Sequence, residues 1–334
     1  NWTPALKMRD PRAMEAMANQ LADEIRFYSF VQYLFNKQWT ALRAYANKNG
    51  IKIIGDVPIY VPLDSVEVWS NPEMFQLDET LTPKVIAGCP PDAFSEDGQL
   101  WGNPIYDWPK HHDERYHWWI RRMKAAAKMY DVVRFDHFRG FESYWSVPAG
   151  SKTAATGSWR KGPGMDFVGA IRRALPDLPI IAEDLGYVTQ EVKDLLRSSG
   201  YPGMKVMEFA FDTREPSARD YLPHRYSVNS VVYSGTHDNL TLKQWFDEAA
   251  AEDVRQQILA LRRPARRHRL HALVNHGDKR NRQRDERCVA FLAREGQIAR
   301  KREQTEGGVL HEMRRTAHQR VQQIELLARC RCNR

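Results

Sequence analysis

Apolar residues return every three or four positions between residues 11 and 49: Met14, Met17, Leu21, Ile25, Phe30, Leu34, Phe35, Leu42 and Tyr45. That period predicts a helix, with Gly50 placed to close it. The pattern then changes. Residues 51–57 form a nearly continuous apolar run between a glycine and a proline, which predicts a short strand covered on both faces. From there the two patterns alternate. Helices are expected near 113–130, 165–175, 189–198 and 240–251, and strands at 131–136, 179–184, 205–211 and 230–238. Such alternation implies right-handed βαβ units around a parallel sheet.

Two stretches break the rhythm. Residues 58–112 join a strand to a helix without a clear periodic element, a far longer connection than the usual few residues. The segment carries Trp69, Phe75, Phe94, Trp101, Tyr106 and Trp108, a density of rings suited to a lid or to surfaces that stack on sugars. The packed-loop alternative stays open, because aromatic residues are commonly core. Beyond about residue 261 the alternation stops, and segments such as RRPARRHRLH present no amphipathic face. The chain therefore divides into a catalytic-type domain at 1–261, with the insertion at about 58–112, and an Arg-rich tail at 262–334.

Charge sharpens that division. The net charge of +8 would suggest a nucleic-acid partner if it were spread evenly. It is concentrated: residues 262–334 carry +12 and the remainder −4. Arginine contacts to phosphate are one reading of the tail and a solvated extension is the favoured one, so no nucleic-acid partner is expected. A hydrophobic content of 42% with 10 tryptophans supports a real core. Neither a leader segment nor an apolar run of roughly 18 residues is evident, so no membrane association and a cytoplasmic location are expected. Cys89, Cys288, Cys330 and Cys332 are unevenly spaced and read as reduced and incidental. The pair His111 and His112 lacks companions at ligand spacing and reads as a solvated helix start, and no metal or other cofactor is implied. GSWRKGPG at 157–164 is no phosphate loop, since Pro163 stands where Lys is required.

Four acidic residues fall at or just past predicted strand ends: Asp56 in IIGDVPIYV, Asp136 in VVRFDHFRGF, Glu183 in IIAEDLGYVT and Asp238 in VVYSGTHDNLT. Each alone is more readily a helix cap or an ion-pair partner than a catalyst. Together they form a pattern, because the strands of a closed parallel barrel open on one face, where distant residues meet. Three carboxylates in one pocket suit glycosidic cleavage, which needs an ionised nucleophile and a protonated acid. Arg134, two positions before Asp136, shares its face of the strand and would hold that carboxylate ionised. His137 and Arg139 could orient the nucleophile or simply pack.

The strings GDVPIYVPLDSVEVW (55–69), GCPPDAFSEDGQLWGNPIYDW (88–108), VRFDHFRGFESYWSVPAG (133–150), IIAEDLGYVT (180–189), GMKVMEFAFD (203–212) and SGTHDN (234–239) resemble the successive motifs of glycoside hydrolase family 77. The resemblance covers about residues 20–260. It implies a (β/α)8 TIM-type barrel of the alpha-amylase clan, here lacking its first strands and its last, and therefore a truncated chain with exposed apolar edges. It also implies retaining transfer of α-1,4-glucan segments from a maltooligosaccharide to the 4-hydroxyl of an acceptor such as glucose or maltose. By the same resemblance Asp136 is the nucleophile, Glu183 the acid/base with its pKa raised by Asp136 and Asp238, and Asp238 the third carboxylate, gripping the sugar hydroxyls. Arg134, His237 and Asn239 would bind the sugar, Tyr60 and Trp101 would line acceptor subsites, and Asp56 would support the pocket floor. An amylase-type hydrolase and an inactive fragment are the alternatives.

Overall fold

The computed structural model describes residues 2–262 apart from 93, 94, 187, 212–215 and 238. Asp238, Phe94 and all but the first residue of the Arg-rich tail thus lie outside the described residues.

The long helix expected at 11–49 is two helices. A short turn of helix, α1 (Pro4–Lys7), precedes α2 (Pro11–Gln20), which starts on Asp10, whose carboxylate accepts the Ala13 amide at 2.9 Å. Leu21 leaves helical geometry and α3 (Ala22–Lys48) follows. The bend lets Met14, Met17, Leu21 and Tyr28 close around Ile25, the one buried residue of α3. Gly50 then stands at φ 75°, the left-handed conformation that ends a helix cheaply for glycine.

The next strand, β1 (Ile54–Val57), is covered less completely than its apolar sequence suggests: Gly55 and Val57 are buried while Asp56 is exposed. Within the insertion lie α4 (Val66–Ser70), β2 (Val85–Cys89), β3 (Gln99–Pro104) and α5 (Trp108–Asp113). There follow α6 (His117–Met129), β4 (Val132–Phe135), β5 (Ser143–Pro148), β6 (Ser158–Lys161), α7 (Gly164–Ala174), β7 (Ile180–Ala182), α8 (Gln190–Ser199) and β8 (Gly203–Val206). A 3-10 turn, Met207–Phe211, replaces the second half of the strand expected at 205–211. β9 (Ser230–Tyr233), α9 (Leu242–Gln244), a π-helical turn at Trp245–Ala249 and α10 (Glu252–Arg262) complete the described residues.

β1, β4 and β7 form a parallel sheet in which Asp56 faces Arg134 and Arg134 faces Ile181 across the strands. β8 and β9 form a second parallel pair. The two are joined by one backbone and one side-chain contact: the Ala182 amide donates to Pro202 O at 2.9 Å, and the Asp184 carboxylate accepts the Met204 amide at 2.7 Å. The strands make a parallel arc with helices between them, a mixed α/β architecture, and no closed barrel occurs among the described residues.

The insertion holds more order than its sequence suggests. β3, β2, β5 and β6 build a four-stranded antiparallel sheet, half from residues 85–104 and half from the segment after Asp136. Gly88, Gly102 and Pro104 interrupt its alternation, and the β2–β3 register shifts between Ile86 and Gly88, so the period-two signal is lost.

Beneath both sheets runs an aromatic core. Trp119, Phe135, Phe141 and Phe167 are fully buried, and Phe141 stacks on Phe167 at 4.4 Å. Each such ring contributes roughly 1.5–3 kcal/mol by burial. Tyr106 packs within 6.0 Å of Tyr60, Phe75, Trp108, His111, Trp118 and Trp119, and its hydroxyl donates to Ile59 O at 2.6 Å. His111, expected in solvent, lies wholly inside this cluster, and burial pushes its pKa down to about 4. His112, its neighbour, is exposed as expected. The Trp108 ring packs on His111, whereas the Tyr116 ring meets the exposed His112.

Candidate active site

The parallel sheet delivers its polar residues to one edge. Asp56 is the third residue of β1, Arg134 the third of β4, and Asp136 follows the end of β4. Alternation along β4 sends Val133 and Phe135 into the core and Arg134 and Asp136 to the opposite side. There the guanidinium spans two carboxylates. Arg134 Nε meets Asp56 Oδ1 at 2.8 Å and Nη2 meets Asp56 Oδ2 at 3.2 Å, a two-point grip. The same Nη2 reaches Asp136 Oδ1 at 2.8 Å. The Arg134 side chain is 14% exposed, against 42% for Asp56 and 38% for Asp136, so a largely enclosed cation supports two wetter anions. The expected sharing of one strand face by Arg134 and Asp136 is observed, and Asp56 is fixed to the same guanidinium.

Glu183 stands one strand over. Its backbone amide donates to Phe135 O at 2.9 Å and its carbonyl accepts from Phe138, so it is knitted to both sides of Asp136. The side chain lies inside, with the residue 8% exposed. Oε2 accepts the His137 amide and Oε1 the Leu185 amide, each at 2.7 Å. Burial raises the pKa to about 7. The two amide bonds and Arg134 pull the other way, while Asp136 adds a smaller upward push. The expected rise is present, but desolvation is its main cause and Asp136 a minor one, while the contribution expected of Asp238 falls outside the described residues.

A cleft of about 190 Å³ opens beside these groups, lined by Pro58, Ile59, Tyr60, Trp101, Asn103, Asp136 and His137. The Tyr60 and Trp101 rings lie 6.1 Å apart, and Trp101 meets the His137 ring edge-on at 4.9 Å. Sequence reasoning placed both Tyr60 and Trp101 here. It did not find Asn103, whose strand was not recognised. The other insertion aromatics named from sequence, Trp69, Phe75, Tyr106 and Trp108, are buried core and do not line the cleft.

The third segment is less complete. His237 and Asn239 follow β9 in a tight turn, where Asn239 Oδ1 accepts the Thr236 amide at 2.8 Å and its hydroxyl at 2.9 Å. Asn239 thus ties the turn back to Thr236. Against this turn lies Glu208, a buried carboxyl whose Oε2 is 3.4 Å from where a Gly235 side chain would begin and whose pKa is raised by burial. Sequence reasoning passed over Glu208; its place after an apolar strand run, like that of the other acids, was the available signal. Among the described residues no cluster of three metal-ligating side chains occurs, and no helix is long and apolar enough to cross a membrane.

Comparison with known proteins bears on this arrangement. Residues 1–327 match a family described as 4-alpha-glucanotransferase. A 4-alpha-glucanotransferase of Clostridium butyricum is 48% identical over 260 residues, which are 78% of this chain and 53% of that protein. One from Streptococcus pneumoniae is 50% identical over 256 residues, 75% of this chain and 50% of its own length. The amylomaltase of Streptococcus agalactiae, solved in complex with acarbose, superposes with a TM-score of 0.74 at 44% identity, covering 80% of this chain and 54% of its own. The chain spans about half the length of the curated relatives it matches.

Proposed function

The chain belongs to the 4-alpha-glucanotransferase family, and from that premise we propose that it carries the catalytic carboxylates for retaining transfer of α-1,4-glucan segments. In this reading the parallel arc is part of a (β/α)8 barrel, and the edge bearing Asp56, Asp136 and Glu183 is its catalytic face. The donor is a maltooligosaccharide, the acceptor a glucose or maltose end, and the setting the cytoplasm.

Asp136 attacks the anomeric carbon while Glu183 gives its proton to the departing glucan oxygen, leaving a glucosyl ester on Asp136. Glu183, now a carboxylate, removes the proton from the 4-hydroxyl of the acceptor, whose oxygen displaces Asp136 and restores the α-linkage. Arg134 holds Asp136 in line and balances its charge together with that of Asp56. Tyr60 and Trp101 offer ring faces to the sugars, and Asp238, His237 and Asn239 supply the remaining contacts to the sugar hydroxyls.

The observation that carries this reading is the contrast between neighbouring carboxylates: Asp136 sits half-exposed on a guanidinium, while Glu183 is buried and raised to about 7. The test is incubation with maltotriose. Products longer than the substrate, together with glucose, support transfer. Glucose and maltose alone would assign hydrolysis instead, and an unchanged substrate would remove the activity from this chain.

A further inference from the structure

The residue after the proposed nucleophile has an unusual backbone. His137 stands at φ 52° and ψ 50°, left-handed geometry that an L-residue with a side chain adopts at a cost. Two contacts depend on it. The His137 amide points across to β7 and donates to Glu183 Oε2 at 2.7 Å. Its ring turns the other way, into the cleft wall, edge-on to Trp101 at 4.9 Å. Behind the ring the chain must come very close: a side chain at Gly140 would start 2.6 Å from Ile59 and 3.2 Å from the imidazole. The ring is thus wedged between Trp101 and a glycine, and this wedge opposes relaxation of the backbone to negative φ.

We infer that His137 is a positioning residue, whose left-handed backbone, braced by the ring, aims its amide at Glu183 and so sets the orientation and proton affinity of that carboxyl. Only this consequence rests on the proposed role of Glu183; the geometry stands without it. A buried carboxyl with no fixed donor would rise further, because nothing would then favour its charged form. The amide counters the burial and leaves Glu183 poised to give and take a proton. The groups facing Glu183 are Asp136 and Arg134 on β4, with Asp56 beyond them, Cys89 on β2, and the Leu185 amide on its own loop. Arg139 faces the His137 ring and Cys89. Among these, the His137 amide and the Leu185 amide contact the carboxyl directly.

The test compares substitutions that differ in tolerance of positive φ. H137G keeps the amide and takes left-handed geometry freely, whereas H137V takes it badly. Titrating the glutamate carboxyls of the whole 334-residue chain by carbon-13 NMR, with E183Q to assign the Glu183 signal, reads the effect without needing turnover. The expected result is a Glu183 midpoint raised by about one pH unit, a tenfold gain in proton affinity, in H137V and unchanged in H137G. Equal shifts in both variants would assign the effect to loss of the ring, and no shift in either would remove His137 from the control of Glu183; both results overturn the inference. Should H137V fail to fold, H137A makes the same comparison. Loss of activity in E183Q is a separate readout: if E183Q keeps transfer, the acid/base role fails while the titration result stands.

Discussion

Two neighbouring stretches of the sheet edge handle a carboxylate in opposite ways. On the β1–β4 side Asp56 and Asp136 share Arg134 and keep about two-fifths of their side-chain surface in contact with solvent. On the β7 side Glu183 is withdrawn from water and, among the described residues, its direct partners are backbone amides. Both arrangements satisfy an acidic group, yet their surroundings act on it in opposite directions. A cation favours the charged form, whereas enclosure favours the neutral one. The lesson is that chemical role is written in the surroundings of each acid more than in its identity.

That comparison can be broken by exchanging what each side supplies. The largest effect is expected from D136N, which keeps the shape and removes the attacking oxygen: transfer should fall by roughly 10⁴ to 10⁶-fold, measured as longer maltodextrins formed from maltotriose. A fall below tenfold would place the nucleophile elsewhere. E183Q should cost on the order of 10² to 10⁴-fold, the usual range for loss of a general acid, and less with a donor whose leaving group needs no proton. R134K keeps the charge and loses the two-point grip on Asp56, so it should lower transfer by about 10 to 100-fold with little change in fold, checked by circular dichroism.

The smallest effect is thermodynamic and concerns Glu183 alone. Its folded pKa, about 7, lies above the ordinary 4.5, so the folded chain binds the proton more tightly than the unfolded one. The contribution is fully present below pH 4.5 and is lost as pH rises through 7. Wild type should therefore lose roughly 3 kcal/mol relative to E183Q between pH 4.5 and pH 8, read by denaturant titration at each pH. A constant difference would mean that folding leaves the proton affinity of Glu183 unchanged. His111 runs the opposite way. Burial lowers its pKa to about 4, so its contribution is present above pH 6.5 and fades as pH falls toward 4, and H111F should flatten that acid limb.

Much of this site was legible in the sequence because strand ends are. A run such as VVRFD states both that a strand stops and that Arg134 and Asp136 share a face, and the structure places them there. The helices near 113–130, 165–175 and 189–198 and the strands at 131–136 and 179–184 were legible for the same reason, while β5 and β6 between them were not. What failed to show was geometry without a side-chain signature. The left-handed turn at His137 and the joint that Asp184 makes with the Met204 amide depend on backbone direction. The four-stranded antiparallel sheet was hidden by its glycines and its register shift. The helix period of residues 22–48 was read correctly, yet it does not mark the face that packs. Trp39 and Arg43 bind α3 to Met129, Asp131 and the end of α6, while Phe27, Phe30, Val31, Leu42 and Tyr45 on the far side are 40–69% exposed. Amphipathic spacing reports that an apolar stripe exists, and only the surrounding elements determine what it touches.

The Tyr106 cluster has a bearing on how substrate would be received. Its ring is stacked on Tyr60, its hydroxyl is fastened to Ile59, and Arg122 Nη2 holds Pro58 O at 2.7 Å. The insertion is thus bound to itself and to α6 at the point where it borders the cleft. If the proposed function holds, a guest sugar would meet a wall already in place, so little ordering entropy would be left to lose on arrival, and discrimination between guests would fall to the outline of the slot itself.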